Sequence, residues 1–179
     1  MGLTKEESQI RERLKGSLLT VLGNLDNLEI SDALSFTEWM ITKSRLYAEG
    51  LLRKRFQALP EEIHRGDIVL CAFGTNVFPE FSDKELKHHF AIVWVQQGYN
   101  FIVIPITQKQ PSKPNPFLIP LGKIPHLPAI CNYAKLDAIR SVSLRRIARI
   151  SGQPDGKIVY PEIKEKISLA FQSLYIDNE

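Results

Sequence analysis

Apolar residues recur at helical spacing through the first third of the chain. Ile10, Leu14, Leu18, Val21, Leu22 and Leu25 fall on one side of a helix. Thr4 and Glu7 precede them at capping-box spacing, where hydroxyl and carboxylate each satisfy the other's orphan amide. Ser35 and Glu38 repeat that spacing and predict the start of a second, longer helix. Its apolar face is Phe36, Trp39, Met40, Leu46, Tyr47 and Leu51, with Lys43, Arg45, Arg53, Lys54 and Arg55 on the wet side. Leu59-Pro60 stops it, because proline disfavours a helical residue before it. Residues 1–62 therefore predict an α-hairpin, which either folds over the next module or pairs with another protein.

From Ile63 the period changes. Ile68 to Phe73 is a short apolar run bounded by Arg65-Gly66-Asp67 and Gly74-Thr75-Asn76. Phe90 to Gln96 and Phe101 to Thr107 are β-rich runs around Gln97-Gly98-Tyr99-Asn100, which predicts a hairpin. Phe117 to Leu121, Cys131 to Lys135 and Ala138 to Val142 read as further short strands. Short strands with frequent turns predict a small antiparallel barrel or sandwich and exclude a parallel sheet. Pro161 to Asp177 predicts a terminal helix with Ile163, Ile167, Ala170, Phe171 and Leu174 on one stripe. The plan is mainly β with flanking helices: a hairpin over residues 1–62, then a β module with its terminal helix over residues 63–179.

Composition fits that plan without adding to it: 179 residues, 44% hydrophobic and 24% charged, suit one soluble globular domain with an appendage. No apolar run is long enough to cross a membrane, and the charged first residues do not read as an export signal, so the expected compartment is the cytoplasm. There Cys71 and Cys131 are expected as reduced thiols, too few for a cysteine-based metal centre. The charge is more telling. The net +3 divides into −1 over residues 1–62, +6 over 63–150 and −2 over 151–179. A basic module between near-neutral flanks suits a polyanionic partner, although ordinary surface variation gives the same balance.

Phosphate-binding glycine loops, dinucleotide fingerprints and the common hydrolase motifs are missing from the chain. What remains is a histidine and a hydroxyl. His88-His89 precedes one predicted strand, and Thr107 ends the next. Antiparallel pairing about Gly98 sets opposite one another residues whose numbers sum to about 197, so His89 and Thr107 are expected as cross-strand neighbours with Cβ atoms roughly 5 Å apart. Lys84, Lys87 and Lys109 surround them in the sequence. Imidazole exchanges protons near neutrality and cations stabilise a developing phosphorane, which suits attack of a ribose 2′-hydroxyl on its own phosphodiester with no metal or other cofactor. Edge histidines and a strand threonine without catalytic function carry the same pattern.

Several segments, taken in order, resemble the MazF/PemK (Kid) toxin family. Arg65-Gly66-Asp67-Ile68-Val69-Leu70 is similar to its opening strand, and Gly74 to Glu80 to the loop that follows. His89-Phe90-Ala91-Ile92-Val93 stands where the family has a basic residue, a proline and an apolar strand, with histidine in place of arginine. Pro105-Ile106-Thr107-Gln108 is similar to its next strand end, and Tyr133 to Ser141, followed by Leu144-Arg145-Arg146-Ile147, to a late family segment. The resemblance covers about residues 63–175. It implies an SH3-like barrel that forms a homodimer, cuts single-stranded RNA without metal, and is restrained by a cognate antitoxin. It implies His89 and Thr107 as the catalytic pair, with Arg65, Asn76, Glu80, Lys84, Lys87, His88 and Lys109 against the RNA. Asp137 and Arg140 are expected as structural. The same barrel also suits a non-catalytic module that holds RNA or docks on a protein such as gyrase. For the N-terminal helices the expected role is dimerisation, antitoxin binding, or that of a fused antitoxin-like segment.

Overall fold

In the computed structural model, residues 4–52, 63–76, 88–125, 127–151 and 156–175 are described. Two helices come first: α1 (Lys5–Leu25) and α2 (Ile30–Leu51). The capping box forms as the spacing predicts. Thr4 Oγ1 accepts from Glu7 N at 3.2 Å, and Glu7 accepts from Thr4 N at 2.7 Å. Hydrogen bonding to the carboxylate by Thr4, its backbone N–H first and its side chain second, holds Glu7 below the usual glutamate range. The second box does not open α2. The helix starts five residues earlier, with Asp32 in its first turn favouring the positive end of the dipole. Ser35 lies inside it and shares a hydrogen bond with Thr75 across the molecule at 3.3 Å. The Leu59-Pro60 stop lies outside the described residues; α2 ends directly after Gly50, at Leu51.

Seven strands follow, all paired antiparallel: β1 (Ile68–Cys71), β2 (His89–Gln97), β3 (Asn100–Thr107), β4 (Leu118–Gly122), β5 (Asn132–Lys135), β6 (Arg140–Ser143) and β7 (Ile147–Ser151). The predicted hairpin is β2–β3, turning at Gly98, whose φ of 58° is the left-handed conformation such two-residue turns require. The strand order is β4-β5-β3-β2-β1-β7, with β6 also on β3. One edge of β3 is thus divided: residues 100–103 pair with β6, and 106–107 with β5. Pro105 falls at the parting, where a residue with no N–H to offer is tolerated. β7 was not legible as a strand in Ile147-Ala148-Arg149-Ile150-Ser151, because its partner β1 lies almost 80 residues earlier in the chain.

Alternation along β1 to β3 divides the core in two. Ile68, Ile92, Ile104 and Ile106 face one way, into a cluster closed by Leu121, Leu136 and Ile167. Val69, Cys71, Ala91, Val93, Phe101 and Val103 face the other way, against Ile63, Val142 and Ile147. The central strands are apolar on both faces, which is why they read as continuous runs. α3 (Gly156–Tyr175) covers the first cluster with Ile167, Ala170 and Phe171. It starts before Pro161, which lies within the helix and not in its first turn. The architecture is mainly β with flanking helices, as the sequence implied.

Candidate functional site

The Arg65-Gly66-Asp67 sequence is a turn before it is anything else. Gly66 has φ 95°, the buried Asp67 carboxylate accepts from His64 N at 2.6 Å, and Gly66 N donates to Val93 O at 2.8 Å. Val93 N in turn donates to Asp67 O at 2.9 Å. The turn delivers β1 in register, with Cys71 opposite His89. It leaves the Arg65 guanidinium 4.9 Å from the centre of the Trp94 ring. Trp94 is five residues from His89 along β2, about 16 Å at the rise of a strand. The structure therefore does not bring Arg65 to the His89 end of the sheet.

At that end the β2–β3 ladder is paired as far as Ala91↔Pro105. The same register carried two residues further sets His89 opposite Thr107. By the two-residue period of a strand both side chains share the face of Ala91, Val93 and Val103. His88 and Phe90 flank His89, and Ile106 and Gln108 flank Thr107, so these face the other side. His88 and His89 border a cleft of about 390 Å³ with Leu70, Phe90, Gln108 and Pro128. Thr107 borders a different one.

That second cleft, about 620 Å³, lies between the end of β3 and the proline-rich loop from Pro111 to Pro116. Lys109, Lys113 and Lys135 line it together with Thr107. Thr107 Oγ1 accepts from Lys109 N at 3.2 Å, which fixes the chain where it leaves the strand. β5 pairs Tyr133 with Thr107 and so carries Lys135 to the cleft. Lys135 Nζ reaches both oxygens of Asp137, at 2.6 and 2.7 Å. Asp137 is structural in this sense, set in a short turn (Leu136–Ala138) after β5. Arg140 lies 5.4 Å from the Phe73 ring centre. Lys135 escapes a reading for RNA contacts, since only the β3–β5 pairing joins it to Thr107, and Lys113 reaches the cleft from the loop after β3. The signal available was the run Lys109 to Pro116, two lysines among three prolines.

Asn76 sits elsewhere. It borders a cleft of about 850 Å³ between the helices and the barrel, with Val21, Leu25, Phe36, Tyr47 and Arg146 among its walls. Asn76 Nδ2 donates to Gly74 O at 3.4 Å. Beneath lies the contact that fixes α2. Gly74 has φ +73°, and a Cβ there would overlap the indole of Trp39. Trp39 is 5% exposed, with the Arg146 guanidinium 5.3 Å from its ring centre. The start of the first loop is thus packed under the N-terminal segment. Glu80, Lys84 and Lys87 lie outside the described residues.

Burial pushes the Cys71 thiol up to about 12, against the opposing pull of Arg146 and Arg140. Cys131 is exposed. With a disulfide-forming thiol reagent at pH 8, one thiol per native chain is expected to react promptly and the second only on unfolding. Two prompt thiols would contradict the buried position of Cys71. Among the described residues no group of three His, Cys, Asp or Glu side chains could hold a metal ion. No described helix is long and apolar enough to cross a membrane.

Residues 64–171 match the family of PemK-like, MazF-like toxins of type II toxin–antitoxin systems. The chain belongs to that family. The match takes in β1 to β7 and most of α3, and leaves α1 and α2 outside. Two similar solved structures come from mycobacterial species. One is an endoribonuclease in complex with its cognate antitoxin, 12% identical, covering 63% of this chain and 95% of its own, with a TM-score of 0.42. The other is an endoribonuclease, 13% identical, covering 66% of this chain and 93% of its own, with a TM-score of 0.41. No curated relative matches the sequence.

Proposed function

We propose that this toxin is an endoribonuclease that cuts single-stranded RNA at the end of β3, and that a cognate antitoxin and a second copy of the barrel are its protein partners. Membership of the toxin family supports the reading, and one observation carries it to a site: Thr107 shares a cleft with Lys109, Lys113 and Lys135. Lysines lining a cleft with a hydroxyl suit a phosphodiester, whose charge grows as the 2′-oxygen adds to phosphorus; Lys109 and Lys113 carry this role, since Lys135 shares its charge with Asp137. In the reaction a 2′-hydroxyl loses its proton as the new P–O bond forms. The bond to the 5′-oxygen breaks, and that oxygen takes a proton. The products are a 2′,3′-cyclic phosphate and a 5′-hydroxyl. His89 is the proton-exchanging group in this reading and Thr107 the donor to a phosphate oxygen. Arg65 is left out, its guanidinium being committed to Trp94 at the other end of β2.

A second reading is a barrel that holds RNA, or docks on a protein such as gyrase, without cutting. The separate clefts bordered by His89 and Thr107 favour it. Incubation of the purified full chain with a mixed-sequence single-stranded RNA in excess chelator decides between the two. Fragments ending in 2′,3′-cyclic phosphate are expected. Intact RNA that is nonetheless retained by the protein would leave the binding reading in its place.

A further inference from the structure

The cleft of about 850 Å³ between the helices and the barrel shares no lining residue with the two clefts at the strand ends. Three segments wall it: the end of α1, one side of α2, and the barrel at Thr75, Asn76 and Arg146. On α2, Phe36, Met40, Lys43 and Tyr47 follow at intervals of four, three and four residues, so this wall sets an ammonium group between two rings. Tyr47 is 68% exposed, which leaves its ring open to a guest. Lys43 and Arg146 have no counter-charge. Among the described residues no carboxylate borders the cleft, and neither cation forms an ion pair. Glu49, further along α2, is taken by Arg45 at 2.9 Å and faces Arg145 at 3.9 Å. Arg146 is half-buried, with its guanidinium over the Trp39 indole. A half-buried cation without a counter-charge gains from an anion that a ligand brings. A guanidinium lying over a ring keeps its N–H edge for that anion.

We propose that this cleft holds single-stranded RNA, with a base stacked on Tyr47 and the adjoining phosphate against Lys43 and Arg146. This subsite presupposes the reading of the chain as one that handles RNA, but not that it cuts. Rings and unopposed cations along one groove are how sequence-tolerant single-strand sites are built. Lys43 and Tyr47 are separated by a rise of about 6 Å along α2, much as a phosphate and its base are separated by one sugar. The groove also continues. A neighbouring cleft of about 370 Å³ shares Lys43, Tyr47 and Arg146 and adds Arg145, which suits a strand running on past one nucleotide. An acidic peptide would answer the cations too, but the barrel wall offers it no open strand edge there, since β1 is paired with β2 on one side and β7 on the other. Phe36, Lys43 and Tyr47 lie outside the matched toxin region, so the subsite is an addition to the barrel and not part of it.

A labelled mixed-sequence 2′-O-methyl RNA tests this, because it lacks the attacking hydroxyl and stays whole on the full chain. Its binding is followed by fluorescence anisotropy. Tyr47→Ala should weaken binding about tenfold, the scale of one lost base stack, and Tyr47→Phe should restore it. Lys43→Ala should weaken binding and lower the slope of log affinity against log salt by about 0.7, the share of one phosphate contact. Both side chains are exposed, so circular dichroism should show the variants folded as the parent is. Unchanged affinity and slope in these variants would overturn the subsite and leave the RNA reading standing. A native chain that holds no RNA would overturn both. Variants that keep RNA affinity but lose a polyglutamate peptide bound by the parent would assign the groove to an acidic protein and overturn the RNA subsite.

Discussion

Thr107→Ala is expected to slow single-turnover RNA cleavage about a hundredfold or more, the scale on which a positioned donor to a developing oxyanion acts. The fold should survive it. Thr107 is half-buried at a strand end, and the bond lost to Lys109 N is worth about 1 kcal/mol. His89→Ala should lose at least as much rate if imidazole moves the proton. The informative comparison is the pair with Lys113→Ala. A lysine that only screens phosphate weakens RNA binding and makes it less salt-dependent, while turnover at saturating RNA changes less. Cleavage that persists in both Thr107→Ala and His89→Ala would remove the proposed chemistry from this end of the sheet, even with the family assignment unchanged.

Gly74→Ala is expected to destabilise the protein by about 3 kcal/mol or more. Two costs act together. A φ of +73° strains any residue with a Cβ, by roughly 1 kcal/mol, and that Cβ cannot coexist with the Trp39 indole. Trp39→Ala should cost about 3–5 kcal/mol, the range for removing a large buried aromatic side chain. The two losses are coupled, since an alanine at 39 makes room for one at 74. In denaturant titrations the double variant should therefore be less unstable than the two singles taken together predict. A Gly74→Ala protein within about 0.5 kcal/mol of the parent would show that α2 is not seated on the loop as described.

What the sequence disclosed was set by how local each cause is. The α1 cap and the β2–β3 hairpin each depend on residues a few positions apart, Thr4 with Glu7 and Gly98 with its flanks, and both were legible. The start of α2 was misplaced because Ser35 and Glu38 mimic a cap while the serine turns to Thr75 on the barrel. β7 went unseen because β1 completes it from far away in the chain. The site divides the same way. Thr107 and Lys109 are neighbours and were found together. Lys135 joins them only through β5, and Arg65 is drawn away by Trp94, an attraction that no spacing rule contains.

The chain has two tryptophans, and the fold has stationed them as gauges at different places. One indole rests on the glycine from which the first loop departs; the other lies beneath a guanidinium beyond the opposite strand end. Light emitted by the first therefore registers disturbance of that loop and of the helix above it, while the second registers events around the entry turn. In Trp39→Phe and Trp94→Phe variants the remaining indole reports a guest on its own part of the surface, so its whereabouts can be followed without attaching a dye.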